Sequence, residues 1–261
     1  MKLNLLPLYL LLIITIFSTS ISSAQIRHFY QLKIYTFENE AQEKATDLYL
    51  EYTLIPALNR QMIETVGVFK NRKDTEADTI RKTYVLIPFI SLFQFQSLNQ
   101  QLNLDDLYLW DGETYIDASH TDPPYQRIES ILLKSFDDML MLTPTPIEGP
   151  KEDRIYELRS YESATEKIYA NKMEMFNEGG EIELFKELDF HPVFFGEVIA
   201  GPKMPNLMYM TTHKNIAERD ENWKRFSDSP GWKEMSSMDK YQNNVSHIDI
   251  TFLYPTQYSN Y

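Results

Sequence analysis

Near the end of the chain, "HIDIT" places His247, Asp249 and Thr251 at every second position, and "YELRSY" places Glu157, Arg159 and Tyr161 in the same way. That alternation is the period of a β-strand, so each trio shares one face of its strand. An imidazole beside a carboxylate pairs a general base with the group that orients it, and a guanidinium offers a planar fork for an anion. Glu197, in "FFGEVIA", adds a carboxylate on another strand-like run. In one sheet, Glu157, Arg159, Glu197, His247 and Asp249 would converge, and three readings follow. One is a hydrogen-bonded charge network that fixes strand register and partner, because buried charges are normally paired. Another is a pocket for a small polar or anionic ligand anchored by Arg159. The third is cofactor-independent catalysis on a small polar substrate, with His247 as base. His247 and Asp249 with Glu157 or Glu197 have the residue types of a facial metal set. Such spacing on strands arises mostly by chance, so neither a metal nor a cofactor is expected, and no residue stands out as an axial ligand for heme.

The other chemical signals are weaker. His191 precedes Pro192 at a loop and His213 ends a strand, both ordinary places. Trp223, Phe226 and Trp232 fall at helix-face spacing and read as core. No Gly-rich phosphate loop, nucleophile elbow or zinc-protease motif is present. The chain has no cysteine, which excludes disulfides and thiolate chemistry.

The elements that must position these residues occur twice. "HFYQLKIY", residues 28 to 35, and "RIYELRSY", residues 154 to 161, align Tyr30, Leu32 and Tyr35 with Tyr156, Leu158 and Tyr161. In the first half a helical stretch, "ENEAQEKATDLYLEYTLIPALNRQM", interrupted at Pro56, precedes strands "TVGVFK" and "RKTYVLIPF". The helix "SLFQFQSLNQQL", the acidic loop-like stretch "NLDDLYLWDGETYIDASHTDPPY" and the strand "RIESILLKSF" complete it. The second half repeats the order: a helix from Thr165, a break at Gly179 and Gly180, "EIELFKEL", strands "PVFFGEVIA" and "LMYMTTH", helix "NIAERDENWKRF", a turn "GWKEMSSM", and strand "VSHIDITFLY".

The order β-α-β-β-α-β describes a ferredoxin-like unit, a four-stranded antiparallel sheet with helices on one face. The fold class is therefore α+β with two tandem units: residues 25–137, a Pro-bearing linker at 138–153, and residues 154–261. Strands such as "YVLIPF" are apolar on both sides, so helices must cover one face and a second sheet the other. Two sheets face to face give an α+β barrel, with the polar sides of Glu157 and His247 expected inside it and Tyr156 and Leu158 against the helices. The sequence leaves open whether the halves pair within the chain or in a homodimer.

Residues 1–24 read as a leader: Lys2, an apolar run over residues 5–17, then "STSISSA" with small residues at Ser22 and Ala24. Cleavage after Ala24 and export to the periplasm or medium are expected, with no stable membrane insertion. The balance of 25 basic and 38 acidic residues, a formal charge of −13, disfavours nucleic acid as a partner.

"YELRSY" opening the repeat, "NLMYMTT" on its third strand and "ERDENWKRFSDSPGWKEM", with Arg219, Trp223, Phe226 and Trp232, resemble the NIPSNAP family. The likeness is faint in the first half, where "SLFQFQSLNQQL" lacks the arginine and both tryptophans. The resemblance implies a barrel of the dimeric α/β type and carries over no catalytic residue. The expected function is a small-ligand or protein binding module, with the enzyme reading as its alternative.

Overall fold

The computed structural model describes residues 27–72, 80–143, 147 and 149–261, so the expected leader and part of the expected linker lie outside the described residues. The first half runs β1 (Phe29–Phe37), α1 (Glu40–Tyr49), α2 (Ile55–Arg60), β2 (Gly67–Asn71), β3 (Arg81–Phe89), α3 (Leu92–Leu102), α4 (Asp106–Ile116) and β4 (Arg127–Ser135). The second runs β5 (Ile155–Glu162), α5 (Glu166–Phe176), α6 (Glu181–Glu187), β6 (His191–Ala200), β7 (Asn206–His213), α7 (Ile216–Asp228), α8 (Pro230–Ser237) and β8 (His247–Pro255). Each half is the expected β-α-β-β-α-β unit, with its first strand central: β1 between β3 and β4, β5 between β7 and β8.

The eight strands close into one antiparallel barrel in the order β1-β3-β2-β8-β5-β7-β6-β4. The two sheets do not lie face to face as separate layers. They join at their edges, β2 to β8 through Phe69↔Pro255 and Asn71↔Leu253, and β4 to β6 with a register shift between Leu132 and Leu133. Edge pairing satisfies the backbone groups that two open sheets would leave exposed, and one chain supplies every strand of the closed barrel.

Closure decides which face is inside. One apolar cluster takes side chains from all eight strands, among them Tyr30, Leu32, Phe69, Leu86, Leu133, Tyr156, Leu158, Phe194, Met210 and Leu253. The barrel interior is therefore packed with the Tyr156 and Leu158 side of β5, and the Glu157 side faces the helices, the reverse of the sequence expectation. Two further clusters lie between sheet and helices, one in each half, around Tyr35, Leu58 and Val85 and around Phe185, Tyr209 and Phe226.

Local chemistry sets the helix starts. The side chains of Asn39, Ser91, Asp105, Thr165, Asn215 and Ser229 each accept the backbone N–H three residues on, a cap worth about 1 kcal/mol. Pro56 does not interrupt the first helical stretch: it falls in the opening turn of α2, where no N–H is required, and a π turn at Leu50–Leu54 joins α1 to α2. The acidic stretch expected as a loop contains α4. Tyr108 and Tyr115 hold it against α1, the first by a 2.8 Å hydroxyl contact with Tyr49 and the second by stacking on the Tyr49 ring at 3.9 Å. Gly112 permits that approach, since a Cβ there would lie 3.0 Å from the Thr53 methyl. "GWKEMSSM" likewise forms a helix, α8, opened by Ser229 and Pro230. Among the described residues, no helix is long and apolar enough to cross a membrane.

Candidate functional site at the barrel mouth

The five candidate residues divide among three places. Glu157 and Arg159 point outward under α7, and Glu157 is fully buried. Its carboxylate accepts Arg159 Nε at 2.7 Å, Arg219 Nε and Nη2 at 2.8 and 2.9 Å, and the Trp223 indole N–H at 2.8 Å. Arg159 stacks on the Trp223 ring at 3.7 Å and donates to the Tyr161 hydroxyl at 2.9 Å, which meets the Tyr209 hydroxyl at 2.8 Å. Burial opposes the charge on Glu157, but the Arg219 hydrogen bonds, the two guanidinium charges and the indole N–H outweigh it and hold the carboxyl below its usual range. With its donors engaged by Glu157 and Tyr161 and one face on Trp223, Arg159 is not the free fork expected of an anion anchor.

His213 lies beside this network, fully buried at the end of β7. Its Nδ1 is 3.2 Å from Asn222 Nδ2, and its Nε2 is 3.3 Å from the Thr211 hydroxyl. Burial pushes its pKa down to about 4, so the ring is neutral at pH 7. Glu197 joins neither group of candidates. It faces outward at the β4–β6 seam, 3.8 Å from Lys134. The edge position of β6 separates it from Glu157, which lies on the central strand.

His247 and Asp249 are at one open end of the barrel, on the interior side, because Asp249 pairs with Ser160 and Thr251 with Leu158 across β5 and β8. Nε2 of His247 is 3.1 Å from Asp249 Oδ1. Lys203, on the turn between β6 and β7, donates to Asp249 at 2.5 Å and lies 3.6 Å from Glu162. The Lys203 bond, with help from His247, holds the Asp249 carboxyl low against a partial burial cost. Ligand atoms of Glu162, His247 and Asp249 lie within 4.8 Å of one another. The third member of that corner is thus Glu162, directly opposite His247 in register, rather than Glu157 or Glu197. Lys203 supplies the corner with a cation of its own.

Below this rim opens a cavity of about 360 Å³. Ile34, Ile131, Leu158 and Met208 provide apolar lining, and Ser160, Asn206, Lys203, Asp249, Lys82 and Glu129 provide polar groups. Ser160 donates to Asn206 Oδ1 at 3.1 Å, which fixes one polar wall. A larger cleft of about 620 Å³ between α1 and α4 has no histidine, lysine or arginine in its lining, so it offers shape with few reactive groups. Sequence reasoning missed Lys203, Glu162 and Ser160 at the mouth. Glu162 extends the alternation of Leu158 and Ser160, a readable signal, whereas Lys203 reaches the rim only through the turn geometry of "GPKMPN".

Residues 156–260 match the NIPSNAP family model. No curated protein matches the chain. Among solved structures, a candidate monooxygenase from Lactobacillus acidophilus superposes with a TM-score of 0.56 at 11% identity, covering 88% of this chain and 94% of that one. Another, from Fusobacterium nucleatum, gives 0.55 at 9% identity, covering 88% and 92%. Both likenesses show the fold, an α/β barrel spanning the two halves. A NIPSNAP family protein of unknown function from Agrobacterium tumefaciens aligns at 19% identity over 42% of this chain and 95% of that one, with a TM-score of 0.35. The family match spans β5 to the end of the chain, the half that holds the Glu157 network and the His247 rim, and the likeness to the NIPSNAP family rests on this half.

Proposed function

We propose that the protein is a binding module that takes a small molecule, with an apolar body and a polar head, into the barrel mouth beneath Lys203 and Asp249. The observation that carries this is the division of the charged residues: the Glu157 network is closed off by α7, while the mouth is open, apolar below and polar at its rim. A ligand there gains from burying apolar surface against Ile34, Leu158 and Met208, and the rim groups orient its head. The His247–Asp249 contact favours a second reading, in which His247 acts as general base on such a molecule.

A thermal-shift screen of small acids, phenols and sugars tests the first reading. A ligand at about 100 times its Kd stabilises by about 2.7 kcal/mol, which for a chain of this size moves the melting temperature by about 5–11 °C. The shift should vanish in Ile34→Trp, which fills the mouth, and persist in Lys134→Ala, far from it. A screen without hits, or hits indifferent to Ile34→Trp, would overturn the reading. Turnover of a hit that is lost in His247→Ala while binding remains would establish the second. The Lys2–Ala24 segment supports a place outside the cytoplasm, and Gln25 should be the first residue found on N-terminal sequencing of the protein purified from its source.

A further inference from the structure

Strand register makes the two halves comparable residue by residue. In the first, Lys33 on β1 lies opposite Val85 of β3 and Ser130 of β4. In the second, Arg159 on β5 lies opposite Tyr209 of β7 and Ile250 of β8. Lys33 and Arg159 therefore hold the same place, on the outer face of the central strand. Their surroundings differ. Two residues before Arg159 stands Glu157, while two residues before Lys33 stands Gln31, whose amide donates to the Ser130 hydroxyl at 2.8 Å. The first half also lacks counterparts of Arg219 and Trp223 in α3. Lys33 consequently makes no hydrogen bond or ion pair with any described residue. Its ammonium lies 5.3 Å from the Tyr35 ring centre, and Tyr108 of α4 and Tyr125 before β4 are the other titratable groups facing it.

We infer that Lys33 is a nucleophilic amine site that forms an imine with a small aromatic aldehyde. The half-buried side chain remains reachable beside the exposed Ser130, and the partly exposed rings of Tyr108 and Tyr125 offer apolar surface to an aromatic body, while Tyr35 is buried. No carboxylate holds the proton on the amine, and burial lowers its pKa while Tyr108 and Tyr125 act weakly the other way. The neutral amine attacks the carbonyl carbon and a proton passes from nitrogen to oxygen. Loss of water from the carbinolamine then leaves the C=N bond, with no oxidant or reductant consumed. This site faces away from the barrel mouth, because Lys33 and Ile34 point to opposite sides of β1.

Benzaldehyde with sodium cyanoborohydride, applied to the full chain at pH 7.5 and read by peptide mass spectrometry, tests the inference. Lys33 should be alkylated about tenfold or more faster than the exposed Lys167 of α5, because burial leaves a larger share of its amine neutral. Gln31→Glu places a carboxylate where Glu157 stands relative to Arg159, and it should bring the Lys33 rate down to that of Lys167. Equal rates in the unaltered chain, or a Lys33 rate indifferent to Gln31→Glu, would overturn the proposal. The unaltered chain carries the primary readout, so a variant that fails to fold leaves the test decisive.

Discussion

Replacing Glu157 by Gln keeps the volume and removes one negative charge from a site with two guanidiniums against it. In the unaltered chain the carboxylate accepts two donors from Arg219, one from Trp223 and those of Arg159, with no exposure to solvent. Leaving a buried charge without its partner costs about 3–5 kcal/mol, a large share of the ~5–15 kcal/mol that holds a protein folded. For a chain of this size that lowers the melting temperature by about 6–20 °C. Urea unfolding should show the same loss as a lower midpoint with an unchanged slope. The pH dependence gives a second readout. A carboxyl held below its usual value of 4.5 contributes stability that is present above that value and is lost as the pH falls through the folded pKa. The unaltered chain should therefore lose stability in acid more steeply than Glu157→Gln does, and the two curves should approach one another below pH 4. A double variant, Glu157→Leu with Arg159→Met, removes both buried charges and should recover most of the loss, because apolar replacements of buried pairs are often neutral. A cost under about 1 kcal/mol for Glu157→Gln, the scale of an exposed pair, would refute the sealed-network account.

Other consequences follow from the same geometry. His213, with its pKa lowered from 6.5 to about 4 by burial, contributes stability that is present above pH 6.5 and fades toward pH 4 as the unfolded chain takes up the proton. His213→Gln should flatten that part of the stability curve by about 1.4 kcal/mol per pH unit, measured from urea midpoints at pH 7, 6 and 5. Trp223→Phe retains a ring over Arg159 but leaves Glu157 one donor short, and should cost about 1–3 kcal/mol in the same assay. Gly179 and Gly180 separate backbone conformation from space. A Cβ at Gly179 would meet the Met175 carbonyl oxygen at 2.6 Å, whereas Gly180, at φ +86°, has open surroundings. Gly180→Ala should cost about 1–2 kcal/mol for the left-handed backbone alone, and Gly179→Ala distinctly more.

The order of elements was legible in the sequence because the repeat constrains itself. An eight-residue pattern written twice, with its tyrosines and leucine in step, identifies the central strand of each half, and β3, β5 and β7 formed where alternation and β-branched content pointed. α4 was hidden for a physical reason. Its outer positions Leu107 and Trp110 are apolar yet exposed, and it is held by Tyr108 and Tyr115 on Tyr49 and by hydrogen bonds between Thr46 and Tyr115 and from Thr53 to the Asp111 carbonyl, so it lacks the clean apolar stripe by which a helix is read.

The candidate site failed on a subtler point. Alternation tells which residues share a face of a strand but not which face is inside, and in a sheet apolar on both sides hydropathy does not decide. The charges in α7 do. Glu157 and Arg159 in the barrel interior would have no further cation or indole to complete their bonds, since the side chains gathered there are Tyr30, Leu32, Phe69, Leu133, Phe194, Met210 and their like. Arg219 and Trp223, four residues apart on α7, project from one side of that helix and supply what a buried carboxylate lacks. Arg219 and Trp223, in the motif that carries the family resemblance, thus meet the outward-facing Glu157, and Ser160 and Asp249 line the mouth. The first half, whose α3 has neither residue, is correspondingly free to carry Gln31 and an unpaired Lys33 at the same two positions.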